Sequence, residues 1–295
     1  MQKLNLLIGI LIGLTILSCS SDNDESNIQN TNGTLIKWSK KDYDTTNGEL
    51  LFFTEYLISE NKISNIITYD GDDNFGSKLQ ETIINYENGR IVKTETMSFG
   101  NLNLDDNEAN YFYDNNGNII EIISIQLGTD FYRKITYDYN NDFIKLTRWL
   151  SNDGGTTYHT QSSNSEIKLY FNDNDDLVSA EPPSIEYVYD NGNTAYIFSP
   201  PNTEVNYSYT DKVNPLSEIF LNTYGGKIGF YLISRPNFLT DIVENINRNI
   251  INSITGNDIP DYIVNHTFNS DILTQTEVLG YGIVDSRIVY EFEYR

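Results

Sequence analysis

Residue types able to do chemistry are sparse in this 295-residue chain, which has one cysteine, Cys19, and two histidines, His159 and His266. A single thiol cannot close an internal disulfide, and the chain beyond Cys19 has none for zinc or nucleophilic chemistry. The histidines stand far apart in sequence, and neither His-Glu-x-x-His nor a Cys/His ligand spacing occurs. His159 falls in a threonine-rich stretch. His266 stands where a strand pattern calls for an aromatic, and reads as a half-buried replacement for tyrosine. Gly-x-Ser-x-Gly is absent, and Gly154-Gly155 and Gly225-Gly226 are isolated pairs, not phosphate loops.

Acidic clusters are the remaining candidates. Asp70-Gly71-Asp72-Asp73-Asn74, Asp105-Asp106-Asn107-Glu108 and Asp173-Asn174-Asp175-Asp176 offer oxygen ligands, but none follows the calcium-loop order. Turn chemistry alone accounts for Asp and Asn in such positions. Paired carboxylates for sugar hydrolysis depend on a separation in space that sequence does not give. We therefore expect no catalytic residue, no metal site and no cofactor. The formal charge of −23 argues against nucleic-acid binding, which needs clustered Lys and Arg.

The N-terminus carries a sharper pattern. Lys3 supplies positive charge, and Leu4 to Leu17 is apolar apart from Asn5 and Thr15. That run is short for a spanning helix, which needs ~20 apolar residues. It ends in Ile16-Leu17-Ser18-Cys19, which resembles the lipobox cleaved by lipoprotein signal peptidase. The resemblance implies that residues 1–18 are removed and that Cys19 carries a diacylglyceryl group on its thiol and an acyl chain on its amino group. Each buried CH₂ contributes ~0.8 kcal/mol, so two or more chains hold stably to a membrane. Ser20-Ser21-Asp22-Asn23-Asp24-Glu25 resembles the acidic export signal that sends lipoproteins of Bacteroidota-type bacteria to the outer face of the outer membrane. The same residues also suit a plain solvated tether, running to about Asn32, and a periplasm-facing anchor is the alternative.

Beyond the tether a unit recurs: an alternating strand ending in an aromatic, an Asp/Asn/Gly turn, then a strand opening with an aliphatic. Clear copies are Ile84-Asn85-Tyr86-Glu87-Asn88-Gly89-Arg90-Ile91, Tyr111-Phe112-Tyr113-Asp114-Asn115-Asn116-Gly117-Asn118-Ile119, Tyr137-Asp138-Tyr139-Asn140-Asn141-Asp142-Phe143, Leu169 to Leu177 and Tyr187 to Asn193. Weaker ones begin at Tyr56, Tyr207 and Thr267. Each reads as a β-hairpin, because Asn-Gly tolerates the positive φ of tight hairpin turns. The flanks alternate with period two: Ile135, Tyr137 and Tyr139 against Lys134, Thr136 and Asp138; Ile288, Tyr290, Phe292 and Tyr294 against Arg287, Val289, Glu291 and Glu293. One buried face and one wet face mark an antiparallel sheet. The 22 tyrosines are therefore core in the first instance, although on an exposed sheet such stripes could stack on sugar rings.

The units resemble the tyrosine-aspartate (YD) repeats of bacterial surface and toxin proteins. Their order resembles, over most of the mature chain, a family of Bacteroidota lipoproteins of unknown function with a porin-like fold. In that family Tyr-x-Tyr-Asp-x-x-Gly hairpins lead to a Tyr-…-Asn-Pro segment, here Tyr207 to Leu216 with Asn214-Pro215, and a Tyr-x-Phe-x-Tyr strand ends the domain, here Tyr290 to Tyr294. Asn140-Asn141-Asp142 and Asp173 to Asp176 lack the turn glycine. The resemblance brings no catalytic residues with it.

These readings predict an all-β fold: one domain over 33–295, an antiparallel up-and-down meander of hairpins curled into an open or partial barrel. One short amphipathic helix is expected near 239–254, from the spacing of Leu239, Ile242, Val243, Ile246, Ile250 and Ile254. Long exposed loops are expected at about 99–110 and 151–165. Strands of a transmembrane barrel need ~9–11 residues, and the runs between turns look shorter. For function we expect a non-enzymatic lipoprotein, held to the outer membrane through Cys19, that binds a surface protein or glycan. The alternatives are a glycoside-acting enzyme and a structural accessory of an envelope complex.

Overall fold

The computed structural model describes residues 33–71, 76–99, 107–160, 166–173, 176–181, 205–224, 248–256, 261–281 and 286–295. Cys19, its tether and the repeat at Tyr187 to Asn193 lie outside these residues. Thr34–Arg295 forms one compact unit. Its strands are β1 (Leu35–Tyr43), β2 (Leu50–Ser59), β3 (Lys62–Asp70), β4 (Lys78–Glu87), β5 (Arg90–Ser98) and β6 (Asn107–Tyr113). Then come β7 (Ile119–Gln126), β8 (Tyr132–Tyr139), β9 (Ile144–Ser151), β10 (His159–Thr160), β11 (Glu166–Phe171) and β12 (Leu177–Glu181). The last are β13 (Val205–Val213), β14 (Asn249–Gly256), β15 (Asp261–Asn269), β16 (Ile272–Tyr281) and β17 (Ser286–Tyr294), with helix α1 (Ser217–Tyr224) between β13 and β14.

Successive strands pair antiparallel, and β1 pairs with β17 along Leu35 to Tyr43. The two-residue β10 lies along β9 beyond the stretch that β11 occupies, so the closed ring has sixteen strands. The expected curled or open sheet is therefore corrected to a closed barrel. With an even number of up-and-down strands the first and last run antiparallel, and closing them removes the two edges an open sheet would leave unpaired.

The registers fix which side chains share a face. Trp38 stands opposite Tyr56 and Phe292, and Tyr56 opposite Ile66; Tyr111 stands opposite Ile122, and Tyr137 opposite Leu146. These side chains belong to one buried cluster, or pack against it, and they point inward. The intervening residues point out. Most of the described tyrosines are thus core, as period-two alternation requires.

Turns alternate in kind around the ring. At one end they are tight: Glu60-Asn61 and Asn88-Gly89 are two-residue loops with positive φ of 51, 58, 50 and 81°. At the opposite, wide-loop end the connections after β1, β3, β5 and β9 are longer. Five tight-end hairpins share a β-bulge just after the turn, where the ladder skips Ser64, Val92, Ile120, Val178 and Thr274. The residue before each skipped one is buried: Ile63, Ile91, Ile119, Leu177 and Leu273. Its carbonyl accepts a bond from a tyrosine hydroxyl on the next strand. Tyr86 donates to Ile63 (2.6 Å), Tyr113 to Ile91 (2.8 Å), Tyr139 to Ile119 (2.9 Å), Tyr294 to Leu273 (2.9 Å), and Tyr209 to Leu177.

The physical reason is satisfaction of main-chain polarity. A bulge takes a carbonyl out of the ladder, and a buried carbonyl needs a donor. The hairpin of β8 and β9 supports this reading, because it has no bulge at its turn end and the equivalent neighbouring aromatic is Phe171, which has no hydroxyl. Tyr113→Phe is expected to lower stability by ~1–3 kcal/mol, the cost of leaving the Ile91 carbonyl unmet. Phe171→Tyr should gain nothing. Chemical denaturation of both variants checks the pair, and a stabilised Phe171→Tyr would break the link between bulge and hydroxyl.

Gly117 shows the local demand of a longer turn. Its φ is 91°, and a Cβ there would lie 2.6 Å from the Arg90 guanidinium, which packs over the Tyr113 ring. The arginine tip can shift, so backbone strain dominates. Gly117→Ala should cost ~1–2 kcal/mol, visible as a lower melting temperature.

Helix α1 plugs the tight-turn end. Asn214 Oδ1 accepts the Leu216 N–H at 3.0 Å and the Asn214 carbonyl accepts that of Ser217, while Pro215 cannot continue a strand ladder. Ile219, Phe220, Thr223 and Tyr224 are buried. Phe220 lies 5.4 Å from Trp38, which stacks on Tyr56 at 4.2 Å. Thr223 Oγ1 accepts the buried Ile63 N–H at 2.9 Å and donates to the Ile219 carbonyl.

The helix expected near 239–254 is corrected in part. Residues 249–256 are strand β14, while 239–247 lie outside the described residues. The inward pair of β14 is Ile251 and Ile254, because the ladder against β13 skips Asn252; their three-residue spacing, with buried Ile250 beside them, imitates a helical face. Of the two expected loops, Asn107 onward is β6, and 151–158 is an ordered turn leading into β10. Strands reach 9–10 residues in β1 to β5, so short length does not separate this barrel from a spanning one.

Candidate functional site

The outer wall is a lattice of ion pairs. Lys37 on β1 lies 3.0 Å from Glu55 on β2 and 3.2 Å from Glu293 on β17. Lys93 bridges Glu95 and Glu108 at 3.0 and 2.7 Å, and Lys145 bridges Asp138 and Glu166, both at 3.3 Å. Lys168 meets Glu181 at 2.8 Å, and Arg287 meets Glu277 at 2.7 Å. The Lys93 and Asn85 bonds hold Glu95 below the usual carboxylate range, and the Lys168 and Tyr170 bonds do the same for Glu181. These carboxylates stay ionised at neutral pH, whereas a glycosidase acid must carry a proton there.

Several aromatic side chains facing outward or at the rim carry a cation over one face. Arg287 sits over Tyr43, Lys78 over Phe99, Lys168 over Phe143, and Lys134 over both Trp149 and Tyr158. Ring faces used this way are withdrawn from stacking on a ligand.

Inside, polarity changes along the barrel axis. The plugged end is apolar. Toward the wide-loop end of β1 to β9 the inward positions become Lys40, Asp42, Thr54, Thr68, Gln80, Thr82, Thr94, Thr96 and Arg148. Neighbouring hydroxyls pair, Thr54 with Thr68 at 3.2 Å and Thr82 with Thr96 at 2.9 Å. Lys40 lies 3.7 Å from Asp42; burial raises the Asp42 pKa against the pull of that lysine. At the rim, inward Phe52 is 44% exposed, and inward Asp70, Arg133 and His159 are exposed too. The wide-loop end therefore presents a polar, water-facing rim, and the other end a stopper.

One wide-loop connection is built around a single carboxylate. Asp153 accepts bonds from the Ser151 hydroxyl at 2.6 Å, the Thr157 N–H at 2.9 Å and the Thr157 hydroxyl. The Ser151 and Thr157 bonds hold its pKa well below the ordinary value. The Gly154 N–H reaches the Asp130 carbonyl at 3.1 Å, tying this turn to the β7–β8 connection.

The sequence candidates separate on this frame. His266 stands inward at the place taken by Tyr111, Tyr137 and Tyr207 in other repeats, with Nε2 2.7 Å from the Ile251 carbonyl and Nδ1 3.0 Å from Thr276 Oγ1. Nε2 must carry the proton to bond a carbonyl, and burial lowers the ring's pKa. His159 is in β10 at the rim, far along the wall from His266. In the acidic clusters, Glu108 pairs with Lys93, and Asp70 accepts the Gly71 N–H. Asp176 is buried, its two oxygens taking the main-chain N–H and side-chain amide of Asn249 at 3.0 and 3.2 Å. It latches the β11–β12 turn to the start of β14, a role invisible in a run of turn residues. Residues 72–75, 100–106 and 174–175 lie outside the described residues. Among the described residues no three His, Cys, Asp or Glu side chains converge as a metal site.

No family model and no curated protein matches the chain. Among solved structures it is similar to a porin-like protein from Bacteroides vulgatus, at 15% identity and a TM-score of 0.42, covering 90% of this chain and 99% of that one. The likeness to the lipoprotein family and to YD repeats stays one of motifs and their order.

Proposed function

We propose that this protein is a lipid-tethered, non-enzymatic binding module of the outer membrane whose barrel stands in water instead of crossing the bilayer. Leu17-Ser18-Cys19 supports the tether, with acyl chains on Cys19, and the acidic residues after it support the outer face. The polarity of the wall carries the rest. A spanning barrel turns an apolar band to lipid and polar residues to its lumen. Here the apolar, buried face is inside, and Lys37, Lys93, Lys145, Lys168 and Arg287 project outward around the ring. A Lys or Arg facing lipid at mid-bilayer costs ~2–4 kcal/mol, so a few would consume the ~5–15 kcal/mol that holds a domain together.

The partner fits a protein better than a glycan. Most of the described tyrosines are core, and cations already cover several of the outer rings. A sugar-cleaving role has less support, because lysines stand between the carboxylates of the wall.

The test is to export residues 20–295 behind an ordinary cleavable leader. The barrel should be released in water without detergent, with a β-type circular dichroism spectrum, while the native chain takes up labelled palmitate and Cys19→Ser does not. A barrel that stays in membranes until detergent is added would overturn the water-standing reading. Palmitate on Cys19→Ser would overturn the anchor. Cross-linking on intact cells should trap a protein neighbour; binding on a glycan array instead would select the glycan partner.

A further inference from the structure

We draw no further inference here: the strongest candidate, the outer-wall aromatic patch of Tyr132, Trp149 and Tyr158 around Lys134 beside the ordered 151–158 turn, has ring faces already met by Lys134 and Gly155, and nothing in the structure shows what would cover it.

Discussion

Deleting residues 286–295 is expected to abolish folding altogether. Strand β17 is bonded on both sides, to β16 through Gln275–Gly280 and to β1 through Leu35–Tyr43. It brings Ile288, Tyr290, Phe292 and Tyr294 to the interior, and Tyr294 meets the bulge carbonyl of Leu273. Phe292 faces Trp38, the largest fully buried side chain and the one on which Phe220 of the plug rests. Losing one strand of an open sheet moves its edge by one. Losing one strand of a ring creates two edges, on β1 and β16, and uncovers the core behind them. Unpaired edges of this length are sites for intermolecular pairing. The truncated chain should be insoluble or elute as aggregate, with loss of the β-type spectrum. A truncated chain that stayed monomeric with unchanged melting would mean that closure contributes little.

Ring closure was also the feature least legible in the sequence, for a physical reason. Period-two alternation is local: it tells Tyr137 and Tyr139 to share a face, and Asn88-Gly89 to turn, without saying how the two ends of a meander meet. The β1–β17 pairing joins residues at opposite ends of the chain, and no local signal encodes it. Helix α1 did leave a signal. Asn214-Pro215 followed by Glu218 is a cap, a first-turn proline and a first-turn acid, yet with eight residues the helix has too little amphipathic run to stand out. The isoleucines of 250–254 misled because a bulge at Asn252 sets Ile251 and Ile254 on the inward face at a three-residue spacing that a regular strand does not give. His266 was legible, since its place in the repeat was an aromatic's place. The bulges were not, and with them the reason for the tyrosine hydroxyls. Asp176 read as a turn residue and Asp153 fell within an expected exposed loop, and only the fold separates a buried latch from a loop hub.

The same inward tyrosines make the barrel sensitive to alkali. Burial, the leading cause in each case, raises Tyr86 and Tyr294 from the ordinary value near 10 to about 12, holds Tyr111, Tyr113 and Tyr139 higher still, and pushes Tyr137 well above its ordinary value. Below pH 10 these phenols are neutral in folded and unfolded chains alike, and their protons contribute no pH dependence. Above it the unfolded chain loses phenolic protons that the folded chain keeps, so the folded state binds more protons and stability falls as pH rises toward the folded values. For a fully buried phenol such as Tyr111 or Tyr137 the slope approaches ~1.4 kcal/mol per pH unit. Two of them over the two units above pH 10 remove about 4–5 kcal/mol, close to the lower end of a domain's ~5–15 kcal/mol. The expected result is a cooperative transition between pH 10 and 12, in which tyrosinate absorbance and loss of the β-type spectrum move together. Tyr113→Phe removes one of these phenols but also leaves a bulge carbonyl unmet, so its transition should start from lower stability and be less steep. Phenols that ionised near pH 10 with the spectrum intact would place the hydroxyls in water and dissolve the case for a packed interior.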